Sequence, residues 1–224
     1  MEFFLYLPAF KKSHLVLTVN IGAVVLAAGK SEGKGQNKLL LRLNGKTIIE
    51  TNLDALAAAC VNEQIVVLGF EPGEVIEAIR PRLGKVKIAL DLAYEEGMTS
   101  SIQTGLIVLS NVDAAFLIQG DHPILDPNLI IEMTLLMEDN KDEPLIVSPI
   151  HRGRKGNPLL FSKKLFGELL SLKTSQTIYD VVNAHMNKLL TFEAAEWTIM
   201  NVDTPQDYAR LEGLAKTQNQ LSRL

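Results

Sequence analysis

The chain has 224 residues, of which 22 are basic and 26 acidic, and its formal net charge is −4. This balance disfavours nucleic acid as a partner, and the 47% of hydrophobic residues suffices for the packed core of one domain. No Ser/Gly run, Pro-rich tract or block of like charge marks a linker. The single cysteine, Cys60, cannot form an internal disulfide, which favours a cytoplasmic location, and its apolar surroundings predict a small core residue.

Residues 1–20 are predicted to form an extension ahead of the domain. Residues 1–10 are apolar and aromatic, but Glu2 and Pro8 interrupt them and no basic segment comes first, which disfavours a signal peptide. The extension is either an extra edge segment or the product of a start codon placed too early. The apolar run 15–26 is too short to cross a bilayer, so we expect no membrane partner.

Short aliphatic runs alternate with helical patterns over residues 21–216, the predicted domain, and residues 217–224 are assigned to a C-terminal tail. The predicted strands are Ile21–Leu26, Gln64–Leu68, Val86–Asp91, Ala114–Gln119, Leu145–Pro149, Pro158–Phe161 and Leu189–Glu193. The predicted helices are Thr47–Ala59, Glu74–Ile79, Ser100–Leu109, Pro127–Glu138, Thr177–Met186 and Pro205–Lys216. This alternation predicts a single-domain α/β fold with a mostly parallel central sheet and helices on both faces.

A glycine-rich polar loop follows the first predicted strand directly. Its sequence is Leu26-Ala27-Ala28-Gly29-Lys30-Ser31-Glu32-Gly33-Lys34-Gly35-Gln36-Asn37-Lys38. Small residues let main-chain N–H groups approach an anion closely, and a lysine adds a point charge for phosphate oxygens. The loop has neither the Walker A spacing nor the G-x-G-x-x-G dinucleotide fingerprint. The loop alone therefore leaves a phosphate site and a plain surface turn as equal alternatives.

Two aspartates follow apolar runs. Asp121 comes after the predicted strand 114–119, and Asp203 comes after the apolar run 198–200. Because ligands of such sheets bind at the carboxyl ends of strands, Asp121 and the glycine-rich loop are expected to meet at one edge. Mg²⁺ typically takes one or two carboxylates together with substrate phosphates, so both aspartates are candidate ligands, with Asn201 as a substitute. A turn-forming role for Asp121 and a helix-capping role for Asp203 are the alternatives.

The glycine-rich loop resembles the nucleotidyltransferase signature L-A-A-G-x-S-x-R-M-G-x-x-K of sugar-nucleotide pyrophosphorylases and molybdenum cofactor guanylyl- and cytidylyltransferases. Four further segments match in order. Residues 96–106 resemble G-M-S-S-S-x-x-x-G-L, 119–123 resemble G-D-Q-P, 153–161 resemble G-R-x-G-H-P-x-x-F, and 201–207 resemble D-x-D-T-P-E-D. The five segments extend over nearly the whole chain. The chain thus resembles the MobA-like NTP transferase family, and within it the molybdenum cofactor cytidylyltransferases most.

This resemblance implies a Rossmann-like fold of the nucleotide-diphospho-sugar transferase type. It implies Mg²⁺-dependent transfer of CMP from CTP to a phosphate-bearing acceptor such as molybdopterin cofactor, with release of pyrophosphate, and a molybdoenzyme as a candidate partner. The metal ligands would be Asp121 and Asp203, and catalysis would fall to Lys34, Lys38 and Asp121. Nucleotide binding would fall to Leu26, Ala27, Ala28, Gly29, Lys30, Gly35, Lys38, Ser100, Ser101 and Gly120. Acceptor binding would fall to Arg154, Lys155, Gly156 and Asn157.

Without the resemblance, the same residues have plainer interpretations. Lys38 would be a solvated loop lysine, Ser100 and Ser101 would be helix caps, and residues 154–157 would be an exposed turn. For His122 the interpretation rests on the resemblance itself: the family varies that position, so His122 is predicted to be a spacer and not a base.

Two positions depart from the family pattern. Gly33-Lys34 stands where the signature has Arg-Met, and lysine lacks the bidentate guanidinium of arginine. Either Lys34 or Lys30 replaces that arginine, or turnover is slow or lost. Asn157 stands where the acceptor motif has histidine, which leaves the acceptor open. The alternatives are a sugar- or polyol-phosphate nucleotidyltransferase, a nucleotide-binding regulator without turnover, and a redox relative that uses a nicotinamide nucleotide.

Overall fold

The computed structural model describes residues 18–30, 37–202, 204, 206–211 and 213. Its strands are β1 (Ile21–Ala27), β2 (Arg42–Leu43), β3 (Lys46–Thr47), β4 (Glu63–Leu68), β5 (Val86–Leu90), β6 (Ala114–Gln119), β7 (Ile146–His151), β8 (Arg154–Lys155), β9 (Leu159–Ser162) and β10 (Leu189–Glu193). Its helices are α1 (Ile48–Ala58), α2 (Gly73–Ile79), α3 (Met98–Val108), α4 (Pro127–Asp139), α5 (Phe166–Leu170) and α6 (Ile178–Ala184), and residues 206–211 are also helical.

The central sheet has eight strands, seven of them in the order β5-β4-β1-β6-β9-β7-β10, with β8 paired to β7. The pairs β1–β4, β1–β6, β4–β5 and β7–β10 are parallel. The strand β9 runs antiparallel to both of its neighbours, and β7 and β8 form an antiparallel pair. The predicted α/β fold with a mostly parallel sheet is confirmed.

The central strands of the sheet are buried because helices cover both of its faces, as predicted. Side chains of β1 alternate between two apolar clusters, Val25 on one face and Val24 on the other. The first cluster receives side chains from α1, α2 and α4, and the second receives side chains from α3, α5 and α6. A central strand buried on both faces explains the unbroken apolar sequence of β1.

The order in which successive strands are added to the sheet reverses beside β1. From β1 the sheet extends to β4 and β5 on one side, and β6 occupies the other side. The register pairs Leu26 with Gln119, so both strands end at the same level of the sheet. Such a topological switch point leaves a crevice outside the carboxyl ends of the strands, where ligands of α/β sheets bind.

The helix α3 packs very closely on the sheet. A Cβ atom added at Gly105 would lie 2.2 Å from Cγ1 of Val24, so only glycine allows this approach. The close packing brings the first turn of α3 to the crevice at the end of β1.

Several features differ from the sequence-based expectations, among them the short strand β8. Cys60 is exposed rather than buried, because the chain leaves α1 before it and Cys60 itself adopts a left-handed conformation with φ of 57°. The hairpin of β2 and β3 was not predicted as strands, and its turn consists of Asn44 and Gly45, both with positive φ. The five-residue helix α5 was also missed.

Among the described residues, no helix has the length and apolar character needed to cross a bilayer.

The chain just before β1 is tied to α4 by a single carboxylate. Glu138 accepts hydrogen bonds from the Thr18 hydroxyl at 2.6 Å and from the main-chain N–H groups of Thr18 and Val19 at 2.7 and 2.8 Å. The Thr18 hydroxyl, the two N–H groups and Lys141 lower the pKa of Glu138 from 4.5 to about 2. The ionised carboxylate therefore stabilises the fold above pH 4.5, and this contribution is lost as the pH falls towards 2.

We expect Glu138→Gln to lower the free energy of unfolding at neutral pH by about 1 to 2 kcal/mol, because hydrogen bonds to a charged group are lost. The difference from the wild type should narrow as the pH falls through the interval between the two pKa values. Urea denaturation across this pH range measures the effect, with Asp139→Asn, which changes an exposed residue of the same helix, as the control. A Glu138→Gln deficit that stays constant with pH would contradict the prediction.

Candidate functional site

A cavity of ≈ 330 Å³ lies at the carboxyl ends of β1 and β6. Eight residues predicted to bind nucleotide or metal line it: Leu26, Ala27, Ala28, Gly29, Lys30, Lys38, Ser101 and Asp121. Leu39, Tyr94, Gly97, Met98 and Gln119 complete the lining. The structure therefore brings together the glycine-rich loop and Asp121, which are about ninety residues apart in the sequence.

The start of the loop is fixed by the neighbouring strand. The N–H group of Phe70 donates to the carbonyl of Ala28 at 2.9 Å. A Cβ atom added at Gly69 would lie 2.8 Å from the same carbonyl oxygen, so the two backbone segments are in contact here. Gly29 is exposed and has no side chain, so a phosphate can approach its main chain closely.

Lys30 is directed toward the rim of the cavity. Its ammonium group lies 2.9 Å from a carboxylate oxygen of Glu95 and above the rings of Phe70 and Tyr94, at 5.3 and 5.9 Å from their centroids. The hydrogen bond from Lys30 to Glu95 raises the pKa of the lysine, so Lys30 carries its charge at neutral pH. Glu95 and the two rings thus hold the Lys30 ammonium group beside the start of the glycine-rich loop.

Lys38 reaches the cavity from the first residue of a short 3₁₀ helix, Lys38–Leu40. The side chain of Asn37 caps this helix by accepting a hydrogen bond from the N–H of Leu39 at 3.1 Å. Leu39 is buried in the apolar core and anchors the turn. The cap and the buried leucine explain why Lys38 has a defined position.

Asp121 lies immediately beyond β6 and is the one carboxylate among the described residues that line the cavity. The preceding Gly120 rests against the end of β1, with its N–H donating to the carbonyl of Leu26 at 2.8 Å. A Cβ atom at Gly120 would lie 2.7 Å from that oxygen, so no larger residue fits. The contact fixes the Asp121 backbone against β1.

His122 turns away from the cavity into the core, where only 2% of its surface is exposed. Burial lowers the pKa of His122 from 6.5 to about 4, so the ring is neutral at pH 7. The main chain of Ile124 acts on the pKa in the opposite direction, but burial is the larger effect. This position fits the predicted role as a spacer.

A buried carboxylate, Asp91, orients the two serines at the start of α3, and its role was missed in the sequence. One oxygen of Asp91 accepts hydrogen bonds from the hydroxyls of Ser100 and Ser101 at 2.8 and 2.7 Å, and the other accepts from the N–H of Ala93 at 2.9 Å. A signal was present, because Asp91 closes a predicted strand just as Asp121 follows one. Ser101 faces the cavity, whereas Ser100 does not line it.

A second cavity, of ≈ 260 Å³, adjoins the first and shares Leu26, Gly97, Met98 and Gln119 with it. It extends past Asn157 toward the start of α6, where Thr177 and Tyr179 line it. The amide of Asn157 lies 3.5 Å from the side-chain oxygen of Gln119, at the junction of the two cavities. A molecule in the second cavity would therefore lie next to a molecule in the first.

The other predicted acceptor residues lie away from this junction. Arg154 and Lys155 are exposed on β8, and Arg154 lines a separate polar pocket together with Asn201. Gly156 is buried, and a Cβ atom there would lie 2.7 Å from the carbonyl oxygen of Thr198. Of the predicted acceptor set, the structure brings only Asn157 to the cavities.

Three predicted site residues, Lys34, Gly35 and Asp203, lie outside the described residues, as does Gly33. Their roles stay predictions. The described part of the site already combines main-chain groups of a glycine-rich loop, two lysines and one carboxylate around a single cavity. This combination suits a polyphosphate together with a divalent cation.

Comparison with known proteins agrees with this geometry. Residues 23–189 match the model of the MobA-like NTP transferase domain. A protein of Natranaerobius thermophilus described as a probable molybdenum cofactor guanylyltransferase is 26% identical over 202 residues, which are 85% of this chain and 94% of that protein. The molybdenum cofactor cytidylyltransferase of Escherichia coli is 24% identical over 188 residues, 84% of this chain and 93% of that enzyme.

The fold is shared with solved nucleotidyltransferases. A nucleotidyl transferase from Methanothermobacter superposes with a TM-score of 0.76 at 24% identity, covering 90% of this chain and 99% of that one. This likeness confirms the predicted nucleotide-diphospho-sugar transferase fold. Because the family model extends from β1 to the start of β10, the chain belongs to the MobA-like NTP transferase domain family and is a nucleotidyltransferase.

Proposed function

We propose that this protein transfers CMP from CTP to a phosphate-bearing acceptor such as molybdopterin cofactor and releases pyrophosphate. The observation that carries the proposal is the single cavity that holds Lys38, Asp121 and the backbone of residues 28–30. The adjoining cavity at Asn157 supplies space for an acceptor beside the nucleotide. Names of the two curated relatives support an acceptor of the molybdenum cofactor type.

In the proposed reaction, an oxygen of the acceptor attacks the α-phosphorus of CTP in line and pyrophosphate leaves. Lys38 and the N–H groups at Gly29 and Lys30 bind phosphate oxygens and stabilise the charge that develops on them. The two adjoining cavities hold the reactants next to each other, so that attack becomes effectively unimolecular. Lys34 is proposed to contribute a further positive charge in place of the signature arginine.

Asp121 is the residue we propose for holding Mg²⁺, with Asp203 as a second ligand. A single carboxylate in a cavity that also accepts phosphates matches the donor set that Mg²⁺ prefers, because this ion keeps several waters and binds substrate phosphates. When bound, Mg²⁺ neutralises charge on the phosphate oxygens. The local fit rests on Asp121, since Asp203 lies outside the described residues.

The preference for CTP is supported by the hydrogen bonds at the start of α3. Ser101 lines the cavity, and its hydroxyl gives its one proton to Asp91, so a further hydrogen bond at its oxygen must come from a donor. A hydrogen-bond acceptor suits the exocyclic amino group of cytosine and opposes the carbonyl that uracil has at the same position. Adenine and guanine also carry an amino group, and the two curated relatives are named for different nucleotides.

The remaining expectations complete the proposal. The reaction would take place in the cytoplasm, which the lone cysteine favours, and a molybdoenzyme would receive the product. Arg154 and Lys155 would meet an acceptor only at its far end, because they lie on β8 and away from the junction of the cavities.

Thermal denaturation tests the nucleotide site. CTP with Mg²⁺ should raise the melting temperature, because a ligand that binds only the folded state stabilises it by mass action. CTP should stabilise the protein more than UTP, and Mg²⁺ should increase the effect. If none of the four triphosphates changes the melting temperature, with or without metal, the proposal fails.

A second candidate, nucleotide binding without turnover, is favoured by one observation. The signature arginine is absent, and Lys30, which could replace it, is bound to Glu95 at the rim. This candidate predicts the same thermal stabilisation but no pyrophosphate. Measuring pyrophosphate release with molybdopterin and with sugar-phosphate acceptors separates the two functions.

A further inference from the structure

The loop that presents Asp121 is held by a buried amide from a distant helix. Asn52, on α1, has none of its surface exposed. Its side-chain NH₂ group donates to the carbonyl of Gly120 at 3.0 Å and to the carbonyl of His122 at 3.1 Å. These carbonyls belong to the residues on either side of Asp121. Both protons of one amide are therefore used to hold the carbonyls of the residue before and the residue after the candidate metal ligand.

The rest of the loop is held from other directions. The N–H of Gly120 donates to the carbonyl of Leu26 on β1, and the N–H of His122 donates to the carbonyl of Gln119. The buried ring of His122 anchors the far side. With these contacts in place, Asn52 supplies the two side-chain hydrogen bonds that link the loop to α1.

The cost of this arrangement argues against a purely structural role. The side-chain oxygen of Asn52 is buried and has no hydrogen-bond partner among the described residues. A buried polar atom without a partner lowers stability, and an apolar side chain at this position of α1 would avoid that loss. Packing alone therefore does not explain an asparagine at this position, whereas the two hydrogen bonds that it donates do.

We propose that Asn52 is a positioning residue for the metal site, acting through the backbone of residues 120–122 to hold the Asp121 carboxylate in the cavity. The proposal rests on the proposed function, in which Asp121 binds Mg²⁺. Groups that orient a metal ligand from behind typically change metal affinity or activity ~10 to 100-fold when they are removed. Asn52 does not line the cavity, so nucleotide binding without metal should not depend on it.

The test compares the wild type with Asn52→Leu, which keeps the approximate size and removes both donors. Thr134→Val is the matched control, since Thr134 is also buried but its hydroxyl donates to Ile130 within α4. Mn²⁺ is used in place of Mg²⁺ as the probe of the metal site, and the first quantity measured is the Mn²⁺ concentration that half-activates pyrophosphate release. The other two are the affinity for CTP in the presence of EDTA and the rate of hydrogen exchange in a peptide covering residues 119–123.

We expect Asn52→Leu to raise the half-activating Mn²⁺ concentration ~10-fold or more and to lower turnover. Its CTP affinity in EDTA should match that of the wild type, and exchange in residues 119–123 should be faster. Thr134→Val should resemble the wild type in all three measurements. If Asn52→Leu does not fold, Asn52→Asp, which retains at most one donor, is measured in the same way.

Two results would overturn the inference while the proposed function stands: an active Asn52→Leu with an unchanged Mn²⁺ requirement, or a loss of metal-free CTP affinity as large as the loss of metal activation. A wild type without pyrophosphate release would instead defeat the proposed function and, with it, the metal role. In that case unchanged exchange in residues 119–123 would also reject Asn52 as the support of this loop.

Discussion

Asp121→Asn is expected to lower the rate of pyrophosphate release at least ~10²-fold, the scale that follows from losing one strong electrostatic group at a reacting centre. Asparagine keeps the shape of the side chain, so the contacts of Gly120 with β1 should survive and the protein should fold normally. The amide cannot supply the negative charge that a divalent cation requires. Steady-state rates over a range of Mg²⁺ concentrations measure the loss.

The control for this substitution is Asp113→Asn, which removes a carboxylate at the opposite end of β6. Asp113 accepts a hydrogen bond from the N–H of Asn20 and lies at the amino end of the strand, away from the cavity. Its replacement should leave turnover unchanged. Near-normal turnover in a folded Asp121→Asn protein would mean that Asp121 is a turn residue and that the metal site lies elsewhere.

Lys38→Ala is the second substitution with a large expected effect. Removing an ammonium group that binds phosphate oxygens in a partly enclosed cavity should lower kcat/KM for CTP by ~10²-fold. Lys38→Arg should recover part of the rate, because the charge remains. The fold should be little affected, since the buried Leu39 and the Asn37 cap, not the lysine, hold the 3₁₀ turn.

Two further variants make the Lys38 result specific. Lys85→Ala removes an exposed lysine that precedes β5, at the amino ends of the strands, and should leave kcat/KM unchanged. Lys34→Ala tests the predicted replacement for the signature arginine, and we expect a lower rate with little change in melting temperature. Equal rates for Lys38→Ala and the wild type would exclude Lys38 from the triphosphate site.

The sequence predicted the parts of the fold that depend on local pattern. The apolar run of β1, the Asp126–Pro127 helix start and the carboxyl-end positions of the glycine-rich loop and Asp121 all follow from neighbouring residues. Cys60 was mispredicted because helical periodicity continues past the last residue of α1, whereas the backbone there turns to positive φ.

The support of the site depends on contacts that span many residues, and these could not be predicted. Asn52 and Gly120 are 68 residues apart, and a lone asparagine in an amphipathic helix carries no signal of its partner. Asp91 lies nine and ten residues before the serines it orients, across a turn whose course the sequence does not specify. The exposed positions of Arg154 and Lys155 follow instead from the short hairpin of β8 with β7, which was not predicted.

The fate of the α-phosphate of CTP distinguishes nucleotidyl transfer from every other reaction of the nucleotide. The protein is incubated with Mg²⁺, an acceptor and CTP that is radiolabelled at either the α- or the γ-phosphate. Molybdopterin is the acceptor in one reaction, and a sugar phosphate is the acceptor in a parallel one. We expect the α-label to appear on the acceptor as a CMP adduct and the γ-label to leave as pyrophosphate. A γ-label on the acceptor, or an α-label that remains in CTP although CTP raises the melting temperature, would contradict nucleotidyl transfer by this chain.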